Sequence, residues 1–386
     1  MRVVDLKIAD IAFGGKGVGR EAGKAVFVPY TIEDEAVSAE IVREKKQFAE
    51  AELLEVKETS PYRVRPECPY FARCGGCAYQ HISYEHQLAI KWRQVRDALQ
   101  RIGKLKDVPM RPIIPSPEQY GYRNRITVHA QDGVIGFFRR DSHHLMEIER
   151  CPISRDDVNR ALTELRAQPH VRDGHYTLRA KMDRLLRRRS TRSENAFHHF
   201  SQTNDAVADS LRDLIVDLVP SNQELLIDAY SGAGFFAKRL LEKFERVIGI
   251  DWDRFAIEAA KENATAKETY IAGDVEEELI NATRKGDLPW PAVALRRRQI
   301  APAVKDRRSL VIIVDPPATG LTPGVRRAIP DLAPATLIYV SCNPPTLARD
   351  LKELSEKFAI GSVTPLDMFP QTAEIEVVVE LRRMNE

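Results

Sequence analysis

No apolar run in this 386-residue chain approaches the ~20 residues needed to cross a bilayer. The opening stretch, MRVVDLKIADIAF, carries Asp5 and Asp10 where a secretion signal would be uninterrupted and apolar. A soluble, cytoplasmic protein is expected. Cysteine is also scarce: five residues, an odd number without a secretion signal, which argues against a disulfide framework. Net charge is only +2, so bulk charge neither requires nor excludes a nucleic-acid partner. Internal repeats and low-complexity tracts are missing as well, which excludes solenoid and fibrous architectures. What remains is an ordinary globular composition in a chain long enough for two or three domains. Nothing in it points to an oligomer, and a monomer is expected.

Charge distribution is more informative than charge total. From Arg179 to Arg192 the segment RAKMDRLLRRRSTR holds seven basic residues against one acid, and Arg296-Arg297-Arg298 forms a second cluster. Either can contact phosphates, or simply be a solvated face. The cysteines are also unevenly placed. Cys68, Cys74 and Cys77 lie together, Cys151 precedes Pro152, and Cys342 stands far off. That spacing suggests four metal ligands and one free thiol. C-x5-C-x2-C with a distant fourth cysteine suits either an all-thiolate zinc site or a [4Fe-4S] cluster.

Read along the chain, residues 1–59 are short β-rich pieces (VVDLKIADIAF, KAVFVPY, EAVSAEIV, AEAELLEV) punctuated by Gly14, Gly15, Gly17 and Gly19. They predict a small OB-like β-barrel of the kind used to hold RNA. Residues 60–195 contain the cysteine group and a helix over 84–102, with Leu88, Trp92, Val95 and Leu99 on one stripe; this helix is expected to pack on the catalytic unit. Strand-like NRITVHAQ and GVIGFFRR follow, split by Asp132-Gly133. Residues 196–386 alternate strands with helices, including a helix over Phe235–Glu245, and predict an α/β Rossmann-like sheet. In such sheets ligands sit beyond the carboxyl ends of the strands.

Two of those strand ends carry chemistry. After ELLIDAY comes Ser231-Gly232-Ala233-Gly234, whose glycines admit a ligand where side chains would clash, and Asp251 ends the next strand. The third glycine of a dinucleotide fingerprint is missing, which weakens a nicotinamide oxidoreductase reading. S-adenosylmethionine has no pyrophosphate and fits the shorter turn, with Asp274 and Asp315 at later strand ends. Cys342 ends the strand TLIYVSC, and Asn343-Pro344-Pro345 turns the chain out of the sheet, presenting the thiol at the crevice. The alternative is a small buried core residue. Near the C-terminus PQTAEIEVVVEL offers Glu376 as a base, with Glu374 as its local competitor.

Taken together these motifs resemble, over essentially the whole chain, the RNA 5-methyluridine methyltransferases, in particular the iron–sulfur branch that modifies 23S ribosomal RNA. The N-terminal piece resembles a TRAM domain. FSQTN (Phe200–Asn204), DAYSGAG, DPPATGL, YVSCNPPTLARDL and DMFPQTAEIE are similar to the family's successive motifs. The resemblance implies a class I methyltransferase domain, an RNA substrate (23S rRNA favoured over tRNA), and two cofactors, S-adenosyl-L-methionine and a [4Fe-4S] cluster on Cys68, Cys74, Cys77 and Cys151. It implies Cys342 as nucleophile and Glu376 as base, with Gln202, Tyr230, Gly232, Gly234, Asp251, Asp274 and Asp315 around the methyl donor. Such a thiol adds to carbon 6 of uracil and makes carbon 5 nucleophilic; a base then removes the carbon 5 proton. Phe200 or the Arg187–Arg189 run would fill the gap left by a flipped base. Three positions depart from the pattern: Glu374 replaces a His, Ala318 an Arg, and Phe235 an Asn found in some relatives. Two other readings stand beside this one. Methylation of an exocyclic amine would use Asn343-Pro344-Pro345, although Thr346 is not aromatic and Cys342 would be idle. A non-catalytic RNA-binding iron–sulfur protein would not depend on Cys342.

Overall fold

The computed structural model describes residues 2–140, 142–179, 188–189, 202–284 and 309–384. The first six strands are β1 (Arg2–Lys7), β2 (Asp10–Ile11), β3 (Lys16–Glu21), β4 (Lys24–Pro29), β5 (Ala36–Glu44) and β6 (Phe48–Glu58). They form one sheet in the order β1-β5-β6-β4-β3-β2. β1 stands at one edge and β2 at the other, yet the chain passes directly from one to the other. Ala9 N donates to Val18 O at 2.9 Å across that junction, so the sheet closes on itself and its edges are covered. Val4, Leu6, Val26, Val28 and Val37 fill the interior. Glu35 is fully buried and accepts from Ile32 N, Ser60 N and Arg63, tying the barrel to the chain that leaves it.

Next come α1 (Tyr84–Arg101), β7 (Arg125–Gln131), β8 (Val134–Phe138), β9 (Leu145–Glu147), α2 (Asp156–Arg166), β10 (Gly174–Arg179) and β11 (Arg188–Arg189). β7 to β11 make an antiparallel sheet, β11-β10-β7-β8-β9, with α2 packed on the face of Ile126, Val128 and Leu178. Asp132 (φ 51°) and Gly133 (φ 80°) both adopt the left-handed conformation that a tight two-residue hairpin requires.

The C-terminal unit comprises α3 (Asp205–Leu218), β12 (Gln223–Ala229), α4 (Ala237–Leu240), β13 (Phe244–Asp251), α5 (Arg254–Lys261), β14 (Glu268–Ala272), α6 (Val275–Arg284), β15 (Leu310–Val314), α7 (Pro323–Leu332), β16 (Thr336–Ser341), α8 (Pro344–Leu354), β17 (Phe358–Leu366) and β18 (Glu376–Arg383). Its seven strands run in the order β14-β13-β12-β15-β16-β18-β17. The first five are parallel, β18 runs antiparallel to them, and β17, antiparallel to β18, runs with the five again. β15 and β16 are buried along their whole length, as helices on both faces of a sheet require. The helix expected over Phe235–Glu245 is only the single turn of α4 followed by a 3-10 turn. Phe244 already pairs with Gln223 as the start of β13, so sheet pairing takes over where helix propensity alone would continue.

Residues 84–114 lie between barrel and antiparallel sheet in sequence but pack on the C-terminal sheet. Val95 and Leu99 of α1 share a core with Leu310, Ile312 and Leu337, while Met110 and Ile114 form parallel bridges to Val363 and Leu366 of β17. The most buried stripe of α1 is not the apolar one. Gln87, Ile90, Lys91, Gln94 and Val95 face inward, whereas Leu88 and Trp92 are half-buried. Lys91 has no exposed surface and donates to Asp367 Oδ1 at 2.6 Å, also fully buried, and to Phe369 O at 3.0 Å. Among the described residues no helix is long and apolar enough to cross a membrane.

Removing one partner of a buried ion pair strands the other. Lys91→Met is expected to cost about 3–5 kcal/mol in urea unfolding. Lys91→Met combined with Asp367→Leu should recover most of that loss, because no uncompensated charge remains.

Candidate active site and cysteine cavity

Every parallel strand delivers its terminal residues to one edge, and the predicted side chains gather there. The turn after β12 is built from left-handed backbone: Tyr230 (φ 68°), Gly232 (φ 53°) and Gly234 (φ 83°). A Cβ on Gly234 would stand 2.8 Å from the Tyr270 hydroxyl, so this position needs glycine for space as well as for conformation. Gln202, Tyr230, Gly232, Gly234 and Asp315 line one cavity of about 990 Å³, with Phe235 on its wall. The Arg212 guanidinium lies 4.9 Å from the centre of the Phe235 ring. Asp251 adjoins this cavity through the turn: its Oδ2 accepts from Gly232 N and its Oδ1 from Asp253 N, each at 2.8 Å. A carboxylate has about four acceptor sites, so Asp251 keeps capacity for a ligand's hydroxyls. Asp274 is exposed at the end of β14 and accepts from Glu277 N, capping α6; it also helps hold the Tyr230 hydroxyl protonated, after burial.

Cys342 lies one residue past β16 and one before Asn343, the N-cap of α8. β16 and β18 pair antiparallel with Ser341 opposite Val377. The pairing ends there; Cys342 and Glu376 are the next residues on the two chains, and the Glu376 carboxylate acts on the Cys342 thiol. The backbone N–H of Cys342 itself and the positive end of α8 favour a thiolate. Burial and the carboxylates of Glu376, Asp315 and Glu374 outweigh them and push the thiol up to about 12. Glu376 is buried, with Oε1 unpartnered, and its carboxyl is driven well above the usual range by burial, then by Asp315 and Glu374. Glu374, two residues earlier, is exposed.

Asp228 was not among the residues singled out from the sequence. It is fully buried behind the glycine turn, Oδ2 accepting from Ala237 N at 3.0 Å and Oδ1 without a partner. Burial pushes its carboxyl up to about 8, and Asp315 is raised to about 7 by burial and Asp251. Its signal was in plain view as the first letter of DAYSGAG, but nothing in a sequence shows which strand-end acid is out of water. An edge with this many desolvated carboxylates is electrostatically suited to a cation. A ligand with a sulfonium and an ammonium group fits that donor set, and the unpartnered Asp228 Oδ1 and Ser231 Oγ fit a site that awaits polar partners.

The departures from the family pattern have local consequences. Ala318 leaves only its backbone to hold the loop after β15: Ala318 O accepts from Thr346 Oγ1 at 3.0 Å, Thr319 O from Arg349, and Leu321 N donates to the buried Asp350. Phe200, Arg187 and Arg296–Arg298 lie outside the described residues, so the structure has no bearing on their expected roles. Arg188 and Arg189 form β11.

On the central unit, Cys68, Cys74, Cys77 and Cys151 border one cavity of about 590 Å³. None is in a disulfide. Burial raises Cys68, Cys74 and Cys77, the last to about 12, and their neighbours' sulfurs add to the effect. Arg123, Arg125, Arg139, Arg140, Arg150 and Arg179 share this cavity. Among the described residues no three His, Cys, Asp or Glu side chains converge as ligands of a single metal ion. Four thiols border this one space, and three of them are held protonated by burial, a donor set whose protons a bound cation would displace.

A family model described as tRNA (Uracil-5-)-methyltransferase matches residues 183–384, and a TRAM domain model matches residues 1–54. An uncharacterized RNA methyltransferase of Bdellovibrio bacteriovorus is 31% identical, the match covering 98% of this chain and 95% of that protein. Another from Synechocystis is 28% identical over 99% and 96% of the two chains. The crystal structure of Pyrococcus abyssi tRNA (uracil-54, C5)-methyltransferase with S-adenosyl-L-homocysteine has the same fold, with a TM-score of 0.70 at 23% identity, covering 98% of this chain and 99% of that one.

Burial of Asp228 makes a prediction about pH. A carboxyl raised from 3.8 to about 8 binds its proton more tightly folded than unfolded. It contributes stability fully present below the unfolded value and lost as pH rises through the folded one. The ligand-free protein should therefore lose thermal stability between about pH 4 and pH 8. Asp228→Asn should flatten that decline; an unchanged slope would show that Asp228 is ionised in the folded protein.

Proposed function

Because the chain belongs to the tRNA (Uracil-5-)-methyltransferase family, and is thus an RNA methyltransferase of the uracil-5 type, we propose that it methylates carbon 5 of a uridine in 23S ribosomal RNA with S-adenosylmethionine as donor. The observation that carries this reading is the closeness of Cys342 and Glu376, the residues just beyond the last β16–β18 pair, at the edge where the glycine turn opens its cavity. S-adenosylmethionine supplies an electrophilic methyl group on a sulfonium. The chain supplies the rest. Gly232 and Gly234 would let the ligand approach the backbone, Asp251 would accept from its ribose, and Gln202, Tyr230, Asp274 and Asp315 would help hold it.

Cys342 Sγ adds to carbon 6 of the uracil ring, and the electron pair moves toward the carbon 4 carbonyl as an enolate. Carbon 5 then takes the methyl group. Glu376 removes the proton left on carbon 5, the carbon 6–sulfur bond breaks, and the thiolate is regenerated. Crowded carboxylates resist both a Cys342 thiolate and an ionised Glu376. A cation bound beside Asp315 favours each of them, so the chemistry is silent until the donor site is filled. The uridine must be flipped out of its stack to reach Cys342, at a cost of a few kcal/mol.

We assign the four-cysteine cavity to a [4Fe-4S] cluster with a structural or RNA-positioning role. Its support is the thiol donor set and the resemblance of the spacing; nothing in the reaction transfers electrons. The preference for ribosomal over transfer RNA rests on the resemblance to the branch that combines this barrel with this cysteine spacing. The Pyrococcus abyssi neighbour acts on tRNA, which makes tRNA the second substrate to test.

Nucleoside mass spectrometry after incubation with S-adenosylmethionine and unmodified ribosomal or transfer RNA should reveal 5-methyluridine in the ribosomal pool. Cys342→Ala should abolish it, and Glu376→Gln should accumulate a covalent RNA–protein species on a denaturing gel. A methylated amine as product would overturn the role of Cys342. For the cysteines, anaerobically purified protein should show broad visible absorbance that bleaches on reduction and disappears in Cys77→Ser. A colourless protein with stoichiometric zinc would replace iron with zinc.

A further inference from the structure

Glu376 is the first residue of β18. Downstream it is pinned by the ladder, where it pairs with Leu366. Its own Oε1 has no hydrogen-bond partner, so no side-chain bond to that oxygen aims the carboxyl. Direction must come from the main chain that leads into it, residues 367–375.

That segment is held chiefly from outside its own sheet. Gln371 O accepts from Ala78 N at 3.1 Å and Tyr79 N at 2.9 Å. Gln371 N donates to Gln87 Oε1 at 3.1 Å, and Gln87 Nε2 donates back to Gln371 Oε1 at 3.0 Å. Tyr122 Oη donates to Pro370 O at 2.9 Å, and Lys91 bonds both Asp367 and Phe369 O. Gln87, Gln371 and Tyr122 are buried, so these bonds form out of water, where a missing partner is costly. Gln371 also has φ 69°, in the left-handed region that a residue with a Cβ rarely adopts. A backbone held there needs its surroundings to hold it.

We propose that Gln87 is a positioning residue for the methyl-transfer reaction: its amide grips Gln371 at both N–H and side chain, and so fixes the approach of Glu376 to Cys342. This rests on the assignment of Glu376 as the base. Gln87 also donates to Tyr79 O and Ile82 O, so the same amide locks the turn that presents Ala78 and Tyr79 to Gln371. One side chain therefore organises both halves of the grip. A glutamine that merely satisfies buried carbonyls would leave the chemistry unchanged once the protein is folded.

Gln87→Met keeps the length of the side chain and removes its hydrogen bonds. A misplacement of about 1 Å can cost 10²-fold, so kcat should fall about 10- to 100-fold. KM for RNA and for S-adenosylmethionine should stay within about twofold, since uniform binding is untouched. The RNA–protein adduct should accumulate, because thiol addition and methyl transfer precede the step that needs Glu376. Tyr122→Phe removes one hydroxyl and one bond of about 1 kcal/mol, and should show the same pattern at about fivefold. Glu376→Gln is run beside them. If it traps the adduct while Gln87→Met and Tyr122→Phe turn over like the wild type, the positioning role is wrong and the base assignment stands. If Glu376→Gln traps nothing, the base assignment fails. Loss of activity in Gln87→Met through a raised KM or a collapsed thermal transition, with Tyr122→Phe unchanged, would mark a purely structural glutamine and overturn the inference.

Discussion

Like charges held close together and out of water govern this molecule. Parallel strands in register end at one level, so an acid near the end of each is carried to a common edge. Asp228 on β12, Asp251 on β13, Asp315 after β15 and Glu376 at the start of β18 meet there. Water is excluded by the same fully buried strands that make the sheet stable. The ligand-free edge is thus strained electrostatically, and a cationic ligand relieves it. Affinity for the donor and readiness of the proposed nucleophile and base become one electrostatic problem.

The central unit answers a second, mechanical requirement. A loop that carries a base into position must be rigid, but residues 367–375 leave the sheet between two strands. α1 supplies the rigidity by turning Gln87, Lys91 and Gln94 inward, where they bond the loop, the barrel entrance and one another's neighbours. A helix with a wholly apolar inner stripe would have packed as well and gripped nothing. Buried polar groups of this kind are costly unless bonded, and the side-chain nitrogen of each of the three finds an acceptor, although Gln94 Oε1 and Asp367 Oδ2 have no partner. The cysteine cavity is physically separate from the sheet edge, yet Cys77 directly precedes Ala78, which bonds Gln371. A ligand in that cavity would stand next to the grip.

Much of the fold was legible in the sequence because its signals are local. Alternation of strands and helices announces a doubly wound sheet, Asp132-Gly133 announces a hairpin, and glycine-punctuated short strands announce a barrel. Gly232, Gly234 and Cys342 could be picked out because glycine and cysteine at strand ends have few other uses. The single-turn α4 was misread as a full helix, since the Phe244–Gln223 pairing that ends it lies between residues far apart in the chain.

By itself, then, the sequence determined the order of units, the motifs of the glycine turn and the free thiol, and the family to which they belong. Tertiary structure alone decided that residues 105–114 join α1 on the C-terminal sheet, that Asp228 is the most deeply buried acid of the edge, and that the Glu376 carboxylate lies close to Cys342. It also decided that Gln87, an unremarkable helical polar residue, holds Gln371, 284 positions away. The physical reason is the same throughout. Propensity and turn chemistry act between neighbours in sequence and can be read from them; desolvation, charge crowding and cross-domain hydrogen bonds depend on which distant groups share a place from which water has been removed.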